Sequence, residues 1–140
     1  RDVNRLATGA LVDFMATVIT HRDLHAWRES MVLVEVVYRA TASFPKAEFF
    51  GLVDQIRRCA ISVPSNIAEG AARNTTRELV QFLGVSSGSL SELETQLELA
   101  TRLGYLEAET DAIRQTNRVG RILRALRNSL REKLSNEAKG

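Results

Sequence analysis

TTRELVQFLGVSSGSLSELETQLELATRLG, residues 75–104, is the stretch whose reading decides the fold. Thr75 with Glu78 three residues on forms a capping box, which starts a helix. Leu79, Phe82, Leu83, Ser86, Leu90, Leu93, Leu97 and Ala100 follow the a/d rhythm. That rhythm gathers them on one stripe of a long helix. Gly104 is a natural C-terminal cap. A helix with one apolar stripe has to bury it against other helices.

The flanking sequence supplies them. Beyond Gly104, acids between Glu107 and Asp111 favour the positive end of a fourth helix, whose core stripe is Val119, Ile122, Leu123, Leu126, Leu130 and Leu134. Upstream, a second helix is expected to start near Pro45, since proline loses nothing at a first-turn position. Phe49, Leu52, Val53, Ile56 and Ala60 form its apolar face. Pro64 falls inside this pattern and removes a hydrogen bond to the carbonyl of Ala60. Ile67, Ala68, Ala71 and Ala72 continue the periodicity, so a kinked helix is expected rather than a break. The first helix is expected to start at Thr20, capped with Asp23, and to bury Leu24, Trp27, Met31, Val34 and Tyr38. Four amphipathic helices with short connections predict an all-α, antiparallel up-down four-helix bundle with a Pro-kinked second helix.

Composition agrees. The 140 residues fit one domain, and 44% hydrophobic with 26% charged is a globular balance. Only two prolines and eight glycines interrupt the chain. Residues 1–20 read as an N-terminal extension and 21–137 as the bundle domain. Arg1 is not a natural first residue, which points to a cut or truncation before it, and Met15 offers an alternative start. The stretch 9–20 is apolar but short, is interrupted by Asp13, and lacks a basic flank followed by a cleavage site, so no signal peptide is read. No apolar run reaches the roughly 18–20 residues of a membrane helix. The lone Cys59 forms no internal disulfide and fits a reducing compartment, so the cytoplasm is the expected location.

Few residues offer chemistry. His21 and His25 share a helix face but bring no third ligand, so no metal is expected. Ser86-Ser87-Gly88-Ser89 has no histidine base beyond those two, and reads instead as small residues at a close helix approach. Phosphate-loop and dinucleotide motifs are missing, so neither a cofactor nor catalysis is expected. Two polar sets stand out. Around Pro64, Arg58, Ser62, Asn66 and Gly70 fall on one line, and Ser65, Glu69 and Arg73 on a second. They form either a binding surface or a network that satisfies the backbone freed by Pro64. In residues 112–135, Arg114, Arg118, Arg121, Arg124, Arg127, Arg131 and Lys133 face Glu132 alone, whereas the preceding helix is acidic. Arg114, Arg118 and Arg121 share a face, and the other three extend it sideways. Arginine binds phosphate bidentately, so the stripe is a candidate nucleic-acid surface, or else a face neutralised by neighbouring acids. No aromatic side chains interleave with it, so contact should follow the backbone, not the bases.

Several stretches in order carry a family resemblance. They are Asp23-Leu24-His25-Ala26-Trp27, Phe44-Pro45-Lys46-Ala47-Glu48 with Phe50-Gly51-Leu52, and Gln55-Ile56-Arg57-Arg58. The most specific is Ser62-Val63-Pro64-Ser65-Asn66-Ile67-Ala68-Glu69-Gly70-Ala71-Ala72-Arg73. Gly88-Ser89-Leu90, Glu92-Leu93-Glu94-Thr95-Gln96-Leu97 and Leu103-Gly104-Tyr105-Leu106 complete the set. Over most of 23–134 the chain resembles the four-helix-bundle family named for proteins encoded in the intervening sequences of bacterial 23S ribosomal RNA genes. The resemblance implies the bundle with its proline-kinked second helix, a ring-shaped homopentamer and no established catalysis. A related branch, the accessory variability determinant of diversity-generating retroelements, partners a reverse transcriptase and binds nucleic acid through a basic surface. Arg57, Arg58, Ser62, Pro64, Asn66, Glu69, Gly70 and Arg73 match the family motif without an assigned role. The expectation is a non-enzymatic oligomeric adaptor for RNA or DNA, with a protein-interaction scaffold as the alternative.

Overall fold

A computed structural model of the chain describes residues 20–140, so the expected extension lies, apart from Thr20, outside the described residues. Four helices carry the fold: α1 (His25–Thr41), α2 (Leu52–Ala71), α3 (Thr76–Arg102) and α4 (Asp111–Lys139). No strand occurs among the described residues. The arrangement is all-α and consistent with a four-helix bundle.

The punctuation of α3 is as expected. Thr75 Oγ1 accepts the Glu78 N–H at 3.1 Å. At the far end Gly104 takes a φ of +83°. Its N–H bonds Thr101 O at 3.0 Å, and the Tyr105 N–H bonds Ala100 O at 2.9 Å. This pair of bonds is a Schellman cap, and the left-handed φ is the reason for glycine there. Thr110 caps α4 by accepting the Ile113 N–H.

Two helix starts differ from expectation. Thr20 caps a 3-10 turn, His21–Asp23, and α1 begins only at His25, after buried Leu24. Pro45 likewise precedes a 3-10 turn, Lys46–Glu48, and α2 begins at Leu52, after Gly51. Phe49 and Phe50 therefore lie outside α2 and are exposed, Phe50 almost completely. α2 runs through Pro64 as one helix to Ala71.

α1 also buries a different face. Ala26, Ser30, Leu33, Val37 and Thr41 point inward, while Met31 and Tyr38 are exposed and Trp27 and Val34 are partly buried. Helical position explains how polar residues serve there. Ser30 Oγ donates to Ala26 O at 2.6 Å and Thr41 Oγ1 to Val37 O at 2.9 Å, so neither hydroxyl is left unpaired.

The helices pack in a closed cycle, α1 on α2, α2 on α3, α3 on α4 and α4 on α1. Leu33, Ile56, Ile67, Leu83, Leu93, Leu97, Leu123 and Leu130 are buried at its centre. Each such side chain stabilises the fold by about 1.5–3 kcal/mol relative to exposure. α2 and α3 approach closely where Gly70 meets Phe82 and Leu79. Nearby, the buried Ser86 Oγ donates to Val63 O at 2.9 Å. At one end of the bundle Phe44, following α1, packs on Tyr105, following α3, with ring centroids 5.4 Å apart.

Candidate nucleic-acid interface

Along α4 the six arginines divide into two sets. The core stripe Val119, Leu123, Leu126 and Leu130 faces inward. Arg114, Arg118 and Arg121 line a groove on the α1 side, together with Val36. Arg124 and Arg127 line a second groove on the α3 side, with Ser87, Ser91, Glu94, Asn117 and Asn128. The single stripe expected from the sequence is thus split around the helix.

The first set is largely committed within the chain. Arg114 donates to Glu109 O at 2.6 Å and pairs with Asp111. Arg118 Nε bonds Glu29 Oε1 at 2.6 Å across the α1–α4 contact, and Gln115 Nε2 bonds Glu29 O at 2.9 Å. The Arg118 bond holds the Glu29 carboxyl below the usual carboxylate range against the opposing effect of burial. Arg121 is exposed and has no hydrogen-bond or ion-pair partner among the described residues.

The second set is free of such partners among the described residues. Arg124 and Arg131 are exposed. Arg127 is half-buried, and its Nε is shut from solvent without a hydrogen-bond partner. Its guanidinium lies on Gly84 of α3, where an added Cβ would stand 2.7 Å from Nη2. The serine run beside it does not behave as one unit. Ser86 faces α2, but a Cβ on Gly88 would meet nothing within 4 Å, so Gly88 marks no close approach.

The motif around Pro64 has structural duties. Ser62 Oγ donates to Cys59 O at 2.6 Å, Ser65 Oγ to Ile61 O at 2.8 Å and Asn66 Nδ2 to Ser62 O at 2.8 Å. These polar groups thus bond carbonyls on either side of Ala60, the one left without its usual donor by Pro64. Arg57 crosses to the last turn of α1, where Nε bonds Thr41 Oγ1 at 2.9 Å and Nη2 bonds Tyr38 O at 3.2 Å. Its guanidinium sits 4.4 Å from the centroid of the Tyr38 ring. Arg58 pairs with Asp54, and Arg73 pairs with Glu69 while covering Phe82. Gly70 is a packing residue, not part of a polar line.

Other chemistry is sparse. His21 meets Trp27 edge-on at 4.7 Å. No group of three metal-ligating side chains occurs among the described residues. No helix among them is long and apolar enough to cross a membrane. Cys59 Sγ donates to Ser89 O at 3.0 Å, and burial, reinforced by Glu92, pushes its thiol up to about 11.

Sequence reasoning picked out Arg124 and Arg127 but not the side chains that enclose them. Ser87, Ser91, Asn117 and Asn128 are polar residues on helix surfaces, and only the packing of α3 on α4 brings them into one groove. Comparison with known proteins gives one family match: the model described as 23S rRNA-intervening sequence protein aligns with residues 22–126. No curated protein matches the chain.

Proposed function

Because the chain belongs to the 23S rRNA-intervening sequence protein family, we propose that it is a non-enzymatic, oligomeric adaptor that binds RNA or DNA through the α4 surface. The carrying observation is the set of uncommitted arginines. Arg121, Arg124 and Arg131 are exposed on α4 without a partner among the described residues. They extend over about 15 Å of helix axis, a span that covers several successive phosphates of a strand. Arg114 and Arg118, already paired with Asp111 and Glu29, contribute less than the sequence pattern suggested.

The family reading brings further elements. The helices run up and down in antiparallel order, and α2 bends at Pro64. The Phe44–Tyr105 contact supports this course, since it joins the segments that follow α1 and α3. Copies assemble into a ring, most simply a homopentamer, which multiplies the basic surface so that weak contacts add by avidity. A protein partner such as a reverse transcriptase docks on this assembly in the cytoplasm.

A scaffold that touches no nucleic acid is the second reading. The exposed Met31, Val32 and Tyr38 of α1, Val85 and Leu99 of α3 and Leu103 just after it favour it, as apolar surface available to proteins.

Fluorescence anisotropy with structured RNA, duplex DNA and single strands, over a salt series, separates the two. The informative variant is Arg121→Glu with Arg131→Glu, because neither side chain is engaged within the chain. Salt-sensitive binding lost in that variant supports the adaptor, with a slope near −0.9 for each duplex phosphate neutralised. No binding at low salt, or undiminished binding by the variant, overturns it in favour of the scaffold.

A further inference from the structure

The groove between α3 and α4 differs from the open arginine surface in depth and in kind. It encloses about 350 Å³ and is lined by Ser87, Ser91, Asn117, Arg124, Arg127 and Asn128. Arg127 is recessed in it, with a buried Nε that no acceptor satisfies. The buried Nε leaves the charge of this guanidinium uncompensated among the described residues, and an anion held by the part of the fork that faces the groove would offset that charge. Glycines keep the space. Gly84 gives the Arg127 guanidinium its seat, and at Gly120, which also lines the groove, a Cβ would meet nothing within 4 Å.

We infer that this groove is a socket for a terminal phosphate, the dianion of a phosphate monoester, held by Arg124 and Arg127. Two guanidinium groups match its charge and supply fork-shaped donors. Serine hydroxyls and asparagine amides add neutral donors for its remaining oxygens. Glu94 on the same wall repels anions, and a carboxylate with a single charge gains less from the two arginines against that repulsion. An internal phosphodiester carries one negative charge to the monoester's two, so it gains less from the pair of arginines and is the poorer fit. The terminal phosphate belongs either to a free mononucleotide-like molecule or to the end of a nucleic-acid strand. The site goes beyond the adaptor reading and stands without it.

The test is calorimetric titration of the full chain, in phosphate-free buffer, with inorganic phosphate, adenosine monophosphate and adenosine. A second arm compares 5′-phosphorylated and 5′-hydroxyl oligonucleotides. Saturable binding of adenosine monophosphate but not adenosine identifies a free ligand. Preference confined to the phosphorylated oligonucleotide identifies a strand end. In either case Arg127→Gln and Gly120→Leu abolish the effect, and Arg127→Lys weakens it less than Gln. Gly84→Ala unseats the guanidinium while keeping every charge, and weakens binding about tenfold, the value of one charge-assisted hydrogen bond. An Arg121→Gln variant, altered only in the groove on the α1 side, binds phosphate as the native chain does, so loss of nucleic-acid binding there and loss of phosphate binding here report on different surfaces. Thermal unfolding establishes that each variant folds. The proposal is overturned if no phosphate-dependent binding occurs in either arm, or if folded Arg127→Gln and Gly120→Leu bind like the native chain.

Discussion

Gly70 of α2 sits so close to Phe82 of α3 that a Cβ on the glycine would stand 2.7 Å from the Phe82 Cβ. That atom is fixed to the α3 backbone and cannot swing aside, so Gly70→Ala forces the two helices apart. Overpacking of this kind costs about 1–3 kcal/mol. Gly88→Ala is the contrast, because its Cβ meets nothing and alanine is the better helix former by roughly 0.5–1 kcal/mol. Urea unfolding should shift in opposite directions for the two substitutions. Equal behaviour would mean that α2 and α3 do not approach as described.

Arg57 links the start of α2 to the end of α1 by hydrogen bonds to Thr41 Oγ1 and Tyr38 O. A cation beside the last carbonyls of a helix also opposes its negative end. Arg57→Met keeps the aliphatic stem but removes both effects, and is expected to lower stability by about 1–2 kcal/mol. Arg57→Lys should recover only part of that loss, since an ammonium lacks the planar fork and stacks less well on Tyr38. The midpoint of thermal unfolding measures both.

Glu29 has a depressed carboxyl pKa, caused first by its bond to Arg118. A depressed pKa gives stability that is present above the ordinary carboxylate value, 4.5, and is lost as pH falls through the lower folded value. Stability should therefore decline on acidification below about pH 4.5, by on the order of 1 kcal/mol from this pair. Arg118→Gln should flatten that part of the profile. A native-like acid profile in the variant would show that Glu29 is not held by Arg118.

Cys59 titrates near 11 in the folded chain because burial disfavours its thiolate. The raised value contributes stability that is intact below the ordinary thiol value, 9.0, and is lost as pH rises towards 11. The folded chain should resist iodoacetamide at pH 8 and react only after unfolding, which mass spectrometry can follow. Cys59→Ser should remove the contribution of this group to the alkaline decline. Rapid modification of the native chain would mean that Ser89 and its surroundings do not enclose the sulfur.

The legibility of these features in the sequence varied with the kind of signal. α3 was readable because Thr75, Glu78 and Gly104 act through local backbone geometry, and α4 because Leu123, Leu126 and Leu130 stand on an otherwise polar helix. α1 misled because Trp27, Met31, Val34 and Tyr38 make a stronger apolar stripe than its true inner face. Ser30 and Thr41 belong to that inner face only because their hydroxyls bond back to their own helix. Pro45 suits a 3-10 turn as well as a first helical turn, and proline alone does not distinguish them. The arginines of α4 were visible as a set. Their division was not, because the acid that engages Arg118 lies 89 residues away.

Consecutive helices make three of the four lateral contacts, and the fourth, α1 on α4, closes the cycle. That seam joins Gln115 and Arg118 to Glu29 across separations of 86 and 89 residues. If it opens, α4 remains held by α3 and by the segment that follows α3, and the part of its buried stripe that α1 covers is exposed. The surface that best matches that stripe is the vacancy left by the α4 of another copy. Opening of this seam is the step that any trading of α4 between copies would require, and the bonds of Gln115 and Arg118 to Glu29 oppose it.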